Sequence, residues 1–157
     1  MIFTKSLIAQ GTIVDVAIGN KSFSTLVTAL KSADLVGALQ GNGPFTVFAP
    51  TNDAFAKIDS ETLNSLLEEK NQKILSNILT YHVISGKLAA SDVVAALKKG
   101  NGSVELTALN GQIITVMQKE GKIWLIDSKG NYSEISATDV MGSNGVIHVI
   151  DTVVMPK

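Results

Sequence analysis

Apolar residues recur at helical spacing through the first half of the chain and in short, strand-length runs through the second. Phe23, Leu26, Val27 and Leu30 lie about one turn apart in "FSTLVTALKSADLVGAL", with Ser22 placed to cap the helix they predict. Gly37 and then Gly41 to Gly43 break that pattern, and a strand over Phe45–Ala49 follows. Its alternation points Phe45 and Val47 to one side and Thr46 and Phe48 to the other, apolar enough to be covered on both. Ile74, Leu75, Ile78 and Leu79 form the stripe of a further helix. Ser91 is placed to cap the next one, with Val93, Val94 and Leu97 facing inward and Gly100 as the stop. Beyond Gly100 the apolar runs are short and separated by Asn110-Gly111, "KEGK" and "SKGN". Asn-Gly between such runs predicts a type I′ hairpin turn. The pattern predicts a meander of three or four strands, then a last long strand, "GVIHVIDTVVMP", stopped by Pro156. Helices first and strands later, without βαβ alternation, make the class α+β.

"TVFAPTNDAF" (Thr46 to Phe55) passes from strand to helix through Pro50, Thr51, Asn52 and Asp53. Thr51 and Asn52 are favoured N-cap residues, and Asp53 falls in the first turn, where a carboxylate meets the positive end of the helix dipole. A catalytic or metal-binding Asp53 would need a second carboxylate or a histidine one turn away, and the local sequence supplies neither. The stretch therefore reads as a clasp that turns strand into helix.

Composition narrows the classes. The chain has 157 residues, 45% of them hydrophobic and only 5% aromatic, enough for one domain with a mostly aliphatic core. A net charge of −1 with scattered basic residues lacks the footprint of a nucleic-acid binder. The absence of cysteine excludes disulfides and thiolate chemistry. The apolar piece Leu7-Ile8-Ala9 is too short for a secretory signal, and no run has the length of a spanning helix.

The two histidines are His82 and His148. His82 follows Ile78 by four residues and shares its apolar side if the helix reaches that far. His148 alternates with Val146 and Ile150. Both read as satisfied interior histidines rather than metal ligands, since no HxH, HxxxH or HxxE spacing occurs. No phosphate-cradling loop, dinucleotide fingerprint or nucleophile elbow is present, and no cofactor is called for. Three N-x-S sequons begin at Asn20, Asn101 and Asn131 and carry no weight by themselves.

Four pieces in order carry a family resemblance: "IVDVA" (Ile13 to Ala17), "TVFAPTNDAF", "YHV" (Tyr81 to Val83) and "NGVIHVIDTVVMP" (Asn144 to Pro156). Together they resemble the fasciclin-like domain family, in a single-domain bacterial or archaeal form. The resemblance implies an α+β fold, a wedge of β-sheets with helices packed on one side, over residues 12–157, with residues 1–11 as an N-terminal extension. It implies a non-enzymatic adhesion module, extracellular, periplasmic or at the cell surface, whose partners are other proteins or envelope polysaccharide. It also implies Tyr81 and His82 as binding residues, or exposed loops and the surface beside them. Two alternatives remain open from the residues alone. One is a carrier holding a small apolar ligand in a cleft between sheet and helices lined by Met117, Trp124, Met141 and Met155. The other is a hydrolase using Asp53 with His82 or His148.

Overall fold

The computed structural model describes residues 12–41 and 44–156, so the expected extension over residues 1–11 lies outside the described residues. The chain enters helix α1 (Ile13–Ile18) through a capping box: Thr12 Oγ1 accepts from Asp15 N–H at 3.3 Å, and the Asp15 carboxylate accepts from Thr12 N–H at 3.0 Å. A 3₁₀ turn over Lys21–Phe23 comes next, capped by Asn20, whose Oδ1 accepts from Ser22 N–H at 2.9 Å. The cap expected at Ser22 is thus made by Asn20, because the turn starts the coil before helix α2 (Ser24–Ser32) takes over. The break expected at Gly37 comes earlier, at Asp34, which takes φ 58°. Aspartate tolerates that left-handed conformation better than most residues. Gly37 itself lies inside the short helix α3 (Val36–Leu39).

Strand β1 (Phe45–Pro50) leads into helix α4 (Asn52–Ala56) through the predicted clasp. Thr51 Oγ1 accepts from Ala54 N–H at 3.2 Å. Asn52 reaches back to the start of α2, accepting from Thr25 N–H at 3.0 Å and donating to the Lys21 carbonyl at 2.9 Å. Removing the cap with Thr51→Ala is expected to cost about 1 kcal/mol. A lowered urea midpoint with an unchanged slope reports that loss; an unmoved midpoint contradicts it.

Helices α5 (Ser60–Leu66) and α6 (Gln72–Thr80) follow, separated by a 3₁₀ turn at Glu69–Asn71. Leu75, Ile78 and Leu79 are buried, whereas Ile74, expected in the same stripe, is exposed. Strand β2 (Val83–Ser85) precedes helix α7 (Ala90–Lys99). Ser91 does not cap α7: the helix starts one residue earlier, and the Asp92 carboxylate accepts from Ala89 N–H at 3.1 Å. Val93 and Leu97 are buried and Val94 is half-buried.

The meander consists of β3 (Ser103–Thr107), β4 (Ile113–Lys119), β5 (Lys122–Ile126) and β6 (Tyr132–Gly142), and β7 (Gly145–Ile150) completes the sheet. The last strand ends at Ile150 rather than Pro156. The Asp151 carboxylate there accepts from Glu134 N–H at 2.9 Å, and Val153 and Val154 go on to fill the interior. The turn at Asn110-Gly111 is not type I′, since only Gly111 has positive φ. Gly111 N–H donates to the Ala108 carbonyl, and Asn110 Oδ1 accepts from Gln112 N–H, the wiring of a three-residue loop. The two-residue primed turn sits instead at Glu120-Gly121, with φ 54° and 78°.

The strand order is β2-β1-β7-β6-β5-β4-β3, with β1 parallel to β7 and every other neighbouring pair antiparallel. A bridge between Ile84 and Ala108 brings the two ends of this order together, so the sheet nearly closes. Strand β6 shifts register twice between Ile135 and Val140, turning from its β5 partner toward β7. Strand β1 separates two cores, as its sequence predicts. Val47, Ala49 and Ile147 pack with α1, α2 and α6 on one side. Phe48, Tyr81, Ile114, Val116, Leu125 and Ile150 fill the other, beneath α7. The class is α+β with most helices on one side, as expected. Helix α7 is the exception, and it plugs the open end of the second core through Val93 and Leu97.

Candidate functional site

Tyr81 and His82 follow α6 directly, and both are interior residues, 0% and 1% exposed. Tyr81 closes α6 as its C-cap, and His82 then begins the turn into β2. His82 Nδ1 lies 2.8 Å from the Ile78 carbonyl, which only accepts, so that nitrogen carries the proton. Nε2 is therefore the bare nitrogen, and it accepts from Val154 N–H at 3.1 Å. Burial holds the imidazole neutral and lowers its pKa to about 4, against smaller opposing effects of the Ile78 carbonyl and the Asp127 charge. One neutral ring thus ties the end of α6 to the C-terminal segment.

Tyr81 points its hydroxyl the other way, toward the meander. The phenol donates to the Ile113 carbonyl at 2.7 Å and lies 3.1 Å from Ser128 Oγ. Ser128 in turn donates to Gln112 Oε1 at 3.2 Å. Burial pushes the Tyr81 phenol above its ordinary pKa, with the Ser128 hydrogen bond acting against it. Recognition expected at Tyr81 and His82 has no exposed side chain to work through at either position. What they touch is the underside of a surface.

The residues named for hydrolysis do not form a site. His148 is buried on β7, its ring centroid 6.0 Å from that of its ladder partner Phe48. Its Nε2 donates to the Leu88 carbonyl at 2.6 Å, while Thr46 Oγ1 accepts from Leu88 N–H at 2.8 Å, so the two side chains hold both backbone groups of one residue in the β2–α7 loop. Asp53 is exposed in the first turn of α4, whereas both imidazoles are enclosed. Among the described residues, no group of three or more His, Asp or Glu side chains is placed to hold a metal ion.

Among the described residues, the apolar-carrier cleft is not formed either. Met117 and Trp124 are register partners on the outer face of the meander, and Met155 packs against the helical core. The side chain of Met141 lies outside the described residues. The apolar space within the helical core is about 10 Å³, room for no more than one water molecule.

Two polar residues that sequence reasoning missed hold this frame. Asn144 is buried between α1 and α3. Its Oδ1 accepts from Ile13 N–H at 2.9 Å, and its Nδ2 donates to the Leu39 and Gly41 carbonyls, each at 2.7 Å. Asp127 Oδ1 accepts from Lys129 and Asn131 N–H at 2.9 and 2.8 Å, and Oδ2 accepts from Met155 N–H at 3.0 Å. The "DSKGN" turn is the only local signal for the second, and no local signal marks the first.

The outer face of the meander is open to solvent. In β4 and β5 the inward residues Ile114, Val116, Ile123 and Leu125 pack in the second core. Their neighbours Ile113, Thr115, Met117, Trp124 and Ile126 therefore point out. Ile113 and Tyr132 are 48% and 51% exposed, which leaves an apolar row across three strands. Two recesses open along it. One, of about 550 Å³, is lined by Gln112, Ile113, Thr115, Ile126 and Ser128 and lies over the Tyr81 hydroxyl network. The other, of about 460 Å³, is lined by Lys119, Glu120, Trp124 and Tyr132.

Comparison with known proteins places the molecule. The chain is 50% identical over 145 residues to Protein sll1483 of Synechocystis, an alignment covering 92% of this chain and 73% of that one. It is 34% identical over 153 residues to the cell surface glycolipoprotein MPB83 of Mycobacterium bovis, covering 94% of this chain and 62% of the relative. Among solved structures, the FAS1 domain pair of the insect cell adhesion molecule fasciclin I superposes with a TM-score of 0.80 at 21% identity, over 91% of this chain and 50% of that one. The fasciclin domain model matches residues 21–156, nearly the whole of the described chain. By that match and by its identity to these relatives, this chain belongs to the fasciclin domain family.

Proposed function

We propose that the protein is a non-enzymatic binding module of the cell surface or extracellular matrix that holds other proteins or envelope polysaccharide through the outer face of its meander. The observation that carries this reading is the row from Ile113 to Tyr132, largely apolar and solvent-facing, on a sheet whose other side packs in the second core. Isolated exposed apolar residues are ordinary, but a contiguous row edged by polar groups marks a contact surface. The names of two relatives, a cell surface glycolipoprotein and a cell adhesion molecule, support an extracellular, periplasmic or surface-bound setting. Among the described residues, no helix is long and apolar enough to cross a membrane.

In this reading Tyr81 and His82 serve recognition indirectly. Tyr81 fixes Ile113 and Ser128 from below, and His82 fixes the segment that fills the space behind them. The domain spans residues 12–157, with residues 1–11 preceding it.

Immobilised protein challenged with envelope extract tests the surface. The double variant Ile113→Ser/Ile126→Ser is expected to retain at least tenfold less material while still unfolding in one cooperative transition, at a midpoint lowered by the half-buried Ile126. The variants Ile18→Ser and Ile74→Ser, at exposed positions on the helical side, are expected to bind as the parent does. Equal retention by the double variant, or loss with the helical-side variants, contradicts the assignment.

A further inference from the structure

Tryptophan and tyrosine are scarce in this chain, which has one Trp and two Tyr. One tyrosine, Tyr81, is buried, but Trp124 and Tyr132 stand together on the outer sheet face. Their ring centroids are 6.2 Å apart with the planes at 77°, so the two rings form a corner with one face as floor and one as wall. Trp124 is only half-buried and Tyr132 is 51% exposed. A core this poor in aromatics has placed two of its largest rings where they gain least from packing.

The polar groups at the corner are balanced. Lys119 and Glu120 line the recess with the two rings, one cation and one anion. On the same face Lys122 pairs with Glu134 at 3.8 Å, and Glu134 is the register partner of Trp124. The recess therefore has no excess of either sign, which disfavours a phosphate, a sulfate or an acidic polymer. It suits a neutral group that both donates and accepts hydrogen bonds. Glu120 is held there at φ 54°, in a primed turn position that asparagine, aspartate and glycine fill more readily. Glutamate brings a longer carboxylate to the rim at some cost in backbone energy.

Two rings at a right angle with a donor and an acceptor at their edge match one chemistry closely. A sugar ring has a face of C–H groups carrying slight positive charge, which stacks on the negative face of an aromatic ring, and a rim of hydroxyls that donate and accept. The recess, about 460 Å³, is within the size range of small-ligand sites and suits a ring-shaped group rather than the flat footprint of a folded partner. We infer that the Trp124–Tyr132 corner is a subsite for a neutral polysaccharide, with the C–H face of one sugar ring on the aromatic pair and its hydroxyls bonded by Lys119 and Glu120. This deepens the binding-module reading and rests on it.

Trp124 is the chain's single tryptophan, so its fluorescence reports this corner alone. The full chain is titrated with cellohexaose, laminarihexaose, xylohexaose, maltohexaose and chitohexaose as neutral probes, and with polygalacturonate as an anionic one. At least one neutral hexasaccharide is expected to give a saturable change in emission, with polygalacturonate much weaker. Tyr132→Ala, at an exposed position, is expected to weaken that binding at least tenfold with the thermal midpoint unmoved. Glu120→Asn is expected to weaken it as well, in a protein at least as stable. No response to any neutral probe, or a response untouched by Tyr132→Ala, overturns the inference. Stronger binding of polygalacturonate than of every neutral probe overturns it too. If Tyr132→Ala abolishes retention of a protein from envelope extract while no saccharide responds, the sugar site falls and the binding face stands. If Tyr132→Ala and the Ile113/Ile126 variant both retain material normally, the face itself falls.

Discussion

Asn144→Ala is expected to destabilise the fold by about 3–5 kcal/mol, a large part of the roughly 5–15 kcal/mol that holds a domain together. The amide serves three backbone groups that have no helical partner: an N–H at the start of α1 and two carbonyls at and beyond the end of α3. Alanine removes all three bonds and leaves the Ile13 and Leu39 groups enclosed, since Asn144 is 9% exposed and Ile13 and Leu39 less so, while the Gly41 carbonyl lies on an exposed residue that water can reach. Each stranded group carries its own desolvation penalty, which is why the loss exceeds that of three average hydrogen bonds. Asn144→Asp is expected to be no milder: it keeps an acceptor for Ile13 but sets carboxylate oxygen against two carbonyls. Urea unfolding with a constant slope gives the number directly, and thermal melting is expected to fall by roughly 10 °C. A loss under 1 kcal/mol would show that the fold closes around α1 and α3 without this residue.

Acid is expected to unfold the protein through His82. Its pKa in the folded chain is about 4, below the 6.5 of an unperturbed histidine. Between those values the unfolded chain binds more protons than the folded one, so stability falls with falling pH. The contribution is complete above pH 6.5 and is progressively lost as pH drops toward 4, about 3 kcal/mol in all. Protonation also turns Nε2 from acceptor to donor opposite Val154 N–H, so the C-terminal segment loses its tie to α6. His82→Gln isolates the effect, because carboxylates titrate alike in both proteins. The parent's stability, less the variant's, is expected to decline by about 3 kcal/mol from pH 6.5 to 4. A flat difference over that window contradicts a buried neutral ring.

The clasp at Thr51 and the two-sided burial of β1 were legible because each depends on residues close in sequence. Alternation and capping are local rules, and they held where the chain obeyed them without rivals. The helix starts at Ser22 and Ser91 were misplaced by a residue or two because the chain begins to coil earlier, where Asn20 accepts from Ser22 N–H and Asp92 accepts from Ala89 N–H. At Asn110-Gly111 the loop gained a third residue from the Asn110 side chain bonding Gln112 N–H, an option the dipeptide alone does not reveal. Asn144 was illegible for a different reason: its partners lie 131, 105 and 103 positions away, so nothing near it in the chain announces its role.

The outer face of the meander was hidden by the same logic. "KIWLI" is apolar at four of five positions and shows no alternation, so its inward and outward residues cannot be told apart by pattern. Only the pairing with β4 and β6 sends Ile123 and Leu125 in and Trp124 and Ile126 out. A binding role for Tyr81 and His82 comes from the family resemblance alone, whereas the spacing from Ile78 places His82 on the apolar side, where it is found. Their position in space is one layer beneath the surface that a partner would meet.

Imidazole ¹⁵N shifts of the folded protein, followed from pH 8 to pH 5, test most directly whether the Tyr-His junction is framework behind a binding face. His82 is expected to remain neutral throughout, with the proton on Nδ1 and Nε2 bare, because its pKa is about 4 and both nitrogens are engaged by backbone. A His82 ring that titrates near 6.5 and exchanges freely with solvent would place it at the surface and contradict the account.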